Sequence, residues 1–182
     1  MAETRTTADR LLDSFCALLI EGGEKSATLE AVAARAGVSK GGLLYHFGSK
    51  KALVDGVLAR LHRFVEEDDV AMAAAPEGPV AYFIRTSTDA GTQYDVVINA
   101  TVALAQGGDR DATAALAETR SRWHDALMAE VHDADIALAL LFMSDGLYFA
   151  SALPEAYPEL NRRDATDFAE RMLAVARRLT TR

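Results

Sequence analysis

The sequence predicts an all-α protein, and three observations indicate this fold class. Alanine is abundant while aromatic residues make up only 7% of the chain, and alanine is the best helix former whereas strands favour β-branched and aromatic residues. The chain has four prolines, and none of them precedes Pro76. Apolar residues recur three and four positions apart along most of the chain, so we expect about nine helices and no convincing strand.

The N-terminal region predicts one longer helix followed by a short one. Apolar residues at helical spacing mark the first helix, which ends at the Gly22-Gly23 pair. These residues are Leu11, Phe15, Leu18 and Leu19. Thr28 is suited to cap a second helix through Arg35, and Gly37 breaks that helix.

The next two helices each begin after a serine. Ser39 caps a short third helix that ends at about His46, and Ser49 caps a long fourth helix that runs toward Pro76. The apolar stripe of the fourth helix consists of Leu53, Val57, Leu61, Phe64 and Val65. The stretch from Pro76 to Pro79 is interpreted as a kink or loop and not as a flexible linker.

The remaining residues predict five more helices. Three of them are expected at residues 80–90, 94–106 and 109–132, separated by glycines. Asp135–Leu153 is apolar on almost every face, so we expect this helix to be buried on several sides. Pro154 and Pro158 end it, and Asn161 is suited to cap a last helix with one apolar face through Leu179.

Charge is distributed unevenly along the chain. Residues 1–63 hold nine Lys/Arg against seven Asp/Glu, whereas residues 64–182 hold ten against twenty, which together give the net charge of −8. All four lysines lie at or before Lys51. Such asymmetry indicates a mildly basic head that is able to meet nucleic acid and an acidic body with a different task.

The segment Thr28–Leu53, TLEAVAARAGVSKGGLLYHFGSKKAL, has the spacing of a helix-turn-helix unit. Ala33 is small where the two helices would touch, Gly37 occupies the turn, and Leu43 belongs to the core. The second helix of such a unit enters the major groove of DNA. Glycines inside a helix each cost about 0.5–1 kcal/mol, so we interpret the Gly41-Gly42 pair as allowing the backbone to approach DNA closely.

This segment resembles the DNA-binding segment of the tetracycline-repressor (TetR-like) family of bacterial transcriptional regulators. The resemblance lies in a Thr-initiated helix, an AGVS turn, a short helix ending in an aromatic/His/Phe cluster, and a Ser-Lys start to the next helix. It implies a DNA-binding domain at residues 1–48 and a ligand-binding and dimerisation domain at residues 49–182, which begins with a connecting helix at 49–72. The implied function is a one-component regulator, most commonly a repressor that a small-molecule ligand releases from its operator.

The resemblance also implies a set of DNA-contacting residues. They are Thr28, Ser39, Lys40, Gly41, Gly42, Tyr45, His46 and Lys50. Lys50 would clamp the DNA backbone, while Tyr45 and His46 would bind phosphates. Gly42 replaces the threonine, serine or alanine of many relatives, and Leu44 replaces a commoner tyrosine. We therefore expect base readout by side chains to be limited, with more weight on phosphates and DNA shape.

For the body, the resemblance implies a homodimer built by Asp135–Leu153 and Asp164–Leu179, an approximately palindromic operator, and an effector pocket. The pocket candidates are Tyr82, Phe83, Tyr94, Asn99, Trp123, Phe142, Asp145 and Tyr148, each with plain core packing as the alternative. Asp145 is expected to be buried and to need a cationic partner, supplied by Arg120, by Arg122 or by the ligand. The expected effector is apolar or a cationic aromatic compound.

Other classes of function find less support. Cys16 is alone, so no intrachain disulfide forms, and it is expected in the core. His124 and His132 are about 12 Å apart by helical rise, too far to share a metal ion. No phosphate loop or nucleophile elbow occurs, so neither a cofactor nor catalysis is expected. The N-terminus lacks the apolar core of a signal peptide and no run spans a membrane, which predicts a cytoplasmic protein.

Two alternatives to the regulator stay open from the sequence. One is a helical ligand-binding or scaffold protein whose head no longer reads DNA. The other is a helical enzyme that uses the acidic body, which would require a carboxylate or metal site with catalytic geometry.

Overall fold

The structure is a computed structural model that describes residues 5–88, 91–152, 155, 157 and 165–180. Nine helices and no strand occur within these residues, which confirms the predicted all-α class. The helices are α1 (Thr7–Ser26), α2 (Leu29–Ala36), α3 (Lys40–His46), α4 (Lys50–Ala74), α5 (Pro79–Thr86), α6 (Gln93–Gln106), α7 (Arg110–Val131), α8 (Ala134–Ala152) and α9 (Ala165–Thr180). No helix in the described part of the chain has both the length and the apolar character that crossing a membrane requires.

The chain divides into two compact units. The first unit comprises residues 1–64 and 93–118, and the second comprises residues 65–92 and 119–182. The division falls within α4 and within α7, so each of these helices contributes to both units. The functional division at residue 48 stays a prediction.

The core of the first unit forms where α1 packs against α2 and α6. Its fully buried large side chains include Leu11, Phe15, Leu19, Leu43, Leu53, Leu61 and Leu104. Cys16 is buried among them, as predicted, and burial raises the pKa of its thiol to about 12. The thiol is therefore protonated at neutral pH and acts as a small apolar side chain.

Charged groups join α4 to the start of α1. The Arg60 guanidinium donates hydrogen bonds to Oδ1 of Asp13 and to Oδ1 of Asp9, both at 2.7 Å. Hydrogen bonds from Thr6 and Arg60 lower the pKa of the Asp9 carboxyl to about 2. Thr6 and Asp9 also form the capping box of α1, so the same carboxylate satisfies a helix terminus and an ion pair.

The second unit has its own apolar core, in which α5, α8 and α9 pack together. Its most buried large side chains are Met72, Ile84, Leu127, Leu140 and Leu173. The start of α5 is capped from another helix, because the N–H of Val80 donates to Oε2 of Glu130 at 2.9 Å. Gly78 at the N-cap has no side chain to do so.

Two predicted helix ends differ from the structure. The first helix does not stop at Gly22-Gly23: Gly23 adopts φ +68° and interrupts it, and the helix then continues to Ser26. The predicted helix at 80–90 ends at Thr86, where the N–H of Ser87 bonds back to Phe83. Three other expectations lie outside the described residues, namely the helix ends at Pro154 and Pro158 and the cap at Asn161.

Helix α8 is less buried than its composition predicts. Leu140 and Leu141 face the core, but Leu138, Phe142 and Phe149 are 45%, 61% and 55% exposed. These three side chains follow each other at spacings of four and seven residues, which places them along one face of the helix. We call them the α8 stripe. The expectation of burial on several sides is therefore wrong for the isolated chain.

Candidate nucleic-acid interface and effector site

The helix-turn-helix segment is built by the caps that the sequence predicts. Oγ1 of Thr28 accepts the N–H of Ala31 at 3.2 Å, and Oγ of Ser39 accepts the N–H of Gly42 at 3.0 Å. Gly37 ends α2 in the left-handed conformation with φ +69°. These local bonds fix where α3 begins and how it leaves the turn.

Helix α3 buries one side chain and exposes the predicted DNA-contacting ones. Leu43 is fully buried, whereas Tyr45 is 86% exposed and its ring lies edge-on to His46, with centroids 5.2 Å apart. A Cβ on Gly41 would meet nothing closer than 3.9 Å, so its backbone is open to an approaching ligand. A Cβ on Gly42 would lie only 3.3 Å from the Ser39 hydroxyl oxygen. Glycine at this position therefore leaves room for the hydroxyl group that caps α3.

Four cations occupy residues 35–51, and each has a carboxylate partner. Nζ of Lys40 lies 2.5 Å from Oε1 of Glu30, and Nζ of Lys50 lies 3.2 Å from Oε1 of Glu24. The other two pairs are Arg35 with Glu21, and Lys51 with Asp55 and Asp111. Lys50 also donates to the carbonyl oxygen of Glu24 at 2.7 Å. The predicted clamp on the DNA backbone is thus tied to the end of α1.

Sequence reasoning did not find these carboxylates. Glu30 precedes Lys40 by ten positions and Glu24 precedes Lys50 by 26. Each carboxylate lies on a different helix from its lysine, so only the packing of these helices against one another brings the charges together. The hydrogen bond from Lys40 lowers the pKa of the Glu30 carboxyl, so Glu30 is charged at neutral pH.

Two of the predicted effector residues bind a carboxylate that the sequence did not single out, and a third packs beside one of them. The Tyr82 hydroxyl donates to Oδ1 of Asp68 at 2.9 Å, and Nε1 of Trp123 donates to Oδ2 at 3.2 Å. The rings of Phe83 and Trp123 lie 5.6 Å apart. Burial raises the pKa of Asp68, and burial together with this carboxylate raises the pKa of Tyr82 to about 12. The available signal was the run of four consecutive acidic residues, Glu66–Asp69, on α4.

Asp145 pairs with one of the two predicted arginines. Nη1 of Arg120 lies 2.8 Å from both carboxylate oxygens of Asp145, whereas Arg122 pairs with Asp69 instead. The Asp145 side chain is 47% exposed. The expectation that it is a buried carboxylate is therefore wrong, although its need for a cation is met.

The other predicted effector residues lie on α8 and α6. Phe142 belongs to the α8 stripe, with the Arg120 guanidinium 6.0 Å from its ring centroid. Tyr148 is half-buried on the same helix. Tyr94 and Asn99 lie on α6 in the first unit, where the Tyr94 ring packs 5.6 Å from Phe64. In the described residues, His, Cys, Asp and Glu side chains form no group of three that could hold a metal ion.

The head is similar in sequence to known regulators. Residues 11–57 match the model of the N-terminal domain of bacterial regulatory proteins of the tetR family. The chain is 33% identical over 67 residues, 37% of its length, to the uncharacterised HTH-type transcriptional regulator TtgW of Pseudomonas putida. That alignment covers half the length of TtgW.

Solved structures extend the likeness over the whole fold. The multidrug binding protein EbrR, solved in complex with malachite green, aligns with a TM-score of 0.67 over 96% of this chain and 98% of its own, at 21% identity. NalD, the secondary repressor of the MexAB-OprM multidrug efflux pump in Pseudomonas aeruginosa, aligns with a TM-score of 0.68 over 97% and 96%, at 19% identity. At these identities the likeness establishes the arrangement of helices.

Proposed function

We propose that this chain is a one-component cytoplasmic transcriptional regulator of the TetR-like family of bacterial regulatory proteins. In this proposal it represses from an approximately palindromic operator and is released by a small-molecule effector. The observation that carries the proposal is the capped helix-turn-helix within the matched residues 11–57, which presents Tyr45 at 86% exposure beside the open backbone of Gly41. A ligand releases the operator only to the extent that it binds the non-operator conformer more tightly.

The proposed DNA contacts are those implied by the family resemblance. They are Thr28, Ser39, Lys40, Gly41, Gly42, Tyr45, His46 and Lys50. Exposure of Tyr45 and His46 on one end of α3 supports their contact with phosphates. Lys40 and Lys50 each exchange a carboxylate partner for a phosphate in this proposal.

Fluorescence anisotropy with labelled duplex DNA tests the proposal. The duplex is first enriched from a random-sequence pool by the wild-type protein and then titrated at several salt concentrations. We expect Tyr45→Ala and Lys40→Ala to weaken binding at least about 10-fold, and Lys25→Ala, an equal charge change elsewhere in the head, to change it less than about 2-fold. Failure to enrich any duplex, or an affinity that does not change with salt concentration, would contradict DNA recognition.

A homodimer through the last two helices completes the proposed regulator. The segments involved are Asp135–Leu153 and Asp164–Leu179. The exposed α8 stripe supports this assignment, because large apolar side chains aligned on one exposed helix face favour a protein partner. A two-fold axis between two heads matches a palindromic operator.

The proposed effector is an apolar or cationic aromatic compound. Its candidate contacts remain Tyr82, Phe83, Tyr94, Asn99, Trp123, Phe142, Asp145 and Tyr148. Asp68 is added to them, because this partly buried carboxylate receives hydrogen bonds from Tyr82 and Trp123, and both of these donors are neutral. An aromatic cation would meet both a negative charge and aromatic faces there.

Malachite green, the compound bound by EbrR, is a suitable cationic aromatic probe. We expect it to bind this chain, and we expect Asp68→Asn to weaken binding about 10-fold or more. Asp145→Asn tests the carboxylate that the sequence singled out, which already has Arg120 as its counter-ion. Asp125→Asn is the matched control, because its side chain is 84% exposed on the same helix as Trp123. Equal binding to Asp68→Asn and wild type would remove Asp68 from the effector site, and a loss in Asp145→Asn alone would restore the sequence-based assignment.

One observation favours the alternative of a ligand-binding or scaffold protein whose head no longer reads DNA. All four cations at residues 35–51 are paired with carboxylates, which reduces the positive potential that DNA-binding surfaces usually present. The salt titration distinguishes the two functions, since a head without DNA affinity enriches no duplex while the body still binds its ligand.

A further inference from the structure

The ion pair at the start of α3 joins two residues with opposite expected effects on DNA binding. Lys40 is the first residue of α3, and Glu30 lies in the first turn of α2. Their side chains are 57% and 64% exposed, so the pair faces solvent and is accessible to another charged group. Lys40 belongs to the proposed DNA contacts, which places a carboxylate at the position where a phosphate is expected.

A phosphate and the Glu30 carboxylate compete for the same ammonium group. Both are anionic oxygen acceptors, and Lys40 is a single point charge on a flexible stem. A phosphate that approaches Lys40 also approaches Glu30, and like charges at this distance repel each other. DNA binding therefore has to overcome the existing pair before the new contact contributes.

We propose that Glu30 is an internal competitor of DNA phosphate for Lys40, and that it lowers the affinity of the head for duplex DNA. The inference rests on the proposed function of the head as a DNA reader. It assigns to Glu30 a regulatory role in setting affinity, without direct recognition of bases. A head with lower affinity for DNA is released more readily by an effector whose affinities for the two conformers differ only modestly.

The expected size of the effect follows from the exposure of the pair. Exposed ion pairs contribute about 0.2–1 kcal/mol, which corresponds to a factor of about 1.4 to 5 in affinity for one head. Two heads on one operator square this factor, so the removal of Glu30 is expected to tighten binding about 2- to 25-fold. The salt dependence also steepens, by at most about one ion per head, because Lys40 then displaces counter-ions instead of a carboxylate.

A double-mutant cycle on DNA binding tests the inference. Wild type, Glu30→Gln, Lys40→Ala and the double variant are titrated by anisotropy against the enriched duplex and against the random-sequence pool. Glu118→Gln, on an exposed position of α7, is the control for an equal change in net charge. Thermal unfolding of each variant checks that Glu30→Gln leaves the head folded, since Glu30 also lies favourably in the first turn of α2.

The cycle has one supporting outcome and several contradicting ones. Competition is supported if Glu30→Gln binds DNA more tightly than wild type while Lys40 is present. This gain has to disappear when Lys40 is replaced by alanine, and Glu118→Gln has to show no gain. Unchanged affinity overturns it, and weaker binding shows instead that Glu30 positions Lys40 or contacts DNA itself. If wild type binds salt-dependently while Glu30→Gln is unchanged, only this inference fails. If neither protein binds any duplex, the proposed function fails and the inference with it.

Discussion

The substitution Phe142→Ser tests whether the exposed α8 stripe is the dimer interface. An aromatic side chain buries about 150–250 Å² when it is fully covered, and Phe142 is 61% exposed. About 120 Å² is therefore available for burial on each protomer, and at about 25 cal/mol per Å² this corresponds to about 3 kcal/mol per copy.

The measurable effect is smaller than the sum over two copies. Association costs translational, rotational and side-chain freedom, and truncation of a well-buried interface residue typically costs about 2–4 kcal/mol. That range corresponds to a dimer Kd raised about 30- to 1,000-fold. Sedimentation velocity over a concentration series measures this constant directly, and the same samples report DNA affinity, which is expected to fall together with dimerisation.

Val70→Ser is the matched control, because Val70 is 71% exposed on α4 and lies outside the stripe. It removes exposed apolar surface without touching the proposed interface, so its dimer constant is expected to stay within about 2-fold of wild type. A Phe142→Ser protein that dimerises as tightly as wild type would refute the assignment. Equal weakening by Val70→Ser would also refute it, because loss of apolar surface anywhere would then have the same effect.

Three further predictions concern the stability of the elements that hold the sites. Gly37→Ala is expected to destabilise the protein by about 1 kcal/mol in urea unfolding, because Gly37 has φ +69°. Gly48→Ala serves as the control, because Gly48 has no positive φ and open space surrounds it. Asp9 has its pKa lowered from 3.8 to about 2, so it stabilises the fold above about pH 4, and this contribution is lost as pH falls toward 2. The free energy of unfolding of wild type is therefore expected to exceed that of Asp9→Asn by about 1 kcal/mol above pH 4, after allowance for solvent exposure. This difference shrinks as pH falls toward 2. Glu130→Ala is expected to cost about 1 kcal/mol, because the N–H of Val80 loses its acceptor, and Glu130→Gln recovers part of it.

The helix-turn-helix was predictable because its determinants are local in sequence. Thr28 and Ser39 each cap the helix that follows them within three residues, and Gly37 supplies a conformation that other residues rarely adopt. Such signals do not depend on the rest of the fold. The capped start of α4 at Ser49 was predicted for the same reason, and Oγ of Ser49 accepts the N–H of Ala52 at 3.1 Å.

The electrostatic environment of the sites was not predictable, because it depends on contacts between distant positions. Lys40 meets Glu30 across a turn, and Asp68 meets Trp123 across 55 residues. Asp145 shows the limit of composition alone: its apolar neighbours in sequence suggested burial, yet it lies on the exposed side of α8. An amphipathic pattern would have revealed this side, but an almost uniformly apolar helix hides it.

The charge balance of the head acquires a different meaning once these contacts are known. Residues 1–63 carry two more cations than anions, which by itself favours attraction to DNA. Each cation at residues 35–51, however, lies beside a carboxylate, so little of that charge acts at the surface before DNA arrives. Affinity then depends on short-range groups such as Tyr45 and the Gly41 backbone, which require close fit to a particular duplex. A head of this kind is expected to bind random DNA weakly, because phosphate attraction alone has to compete with ion pairs that are already formed.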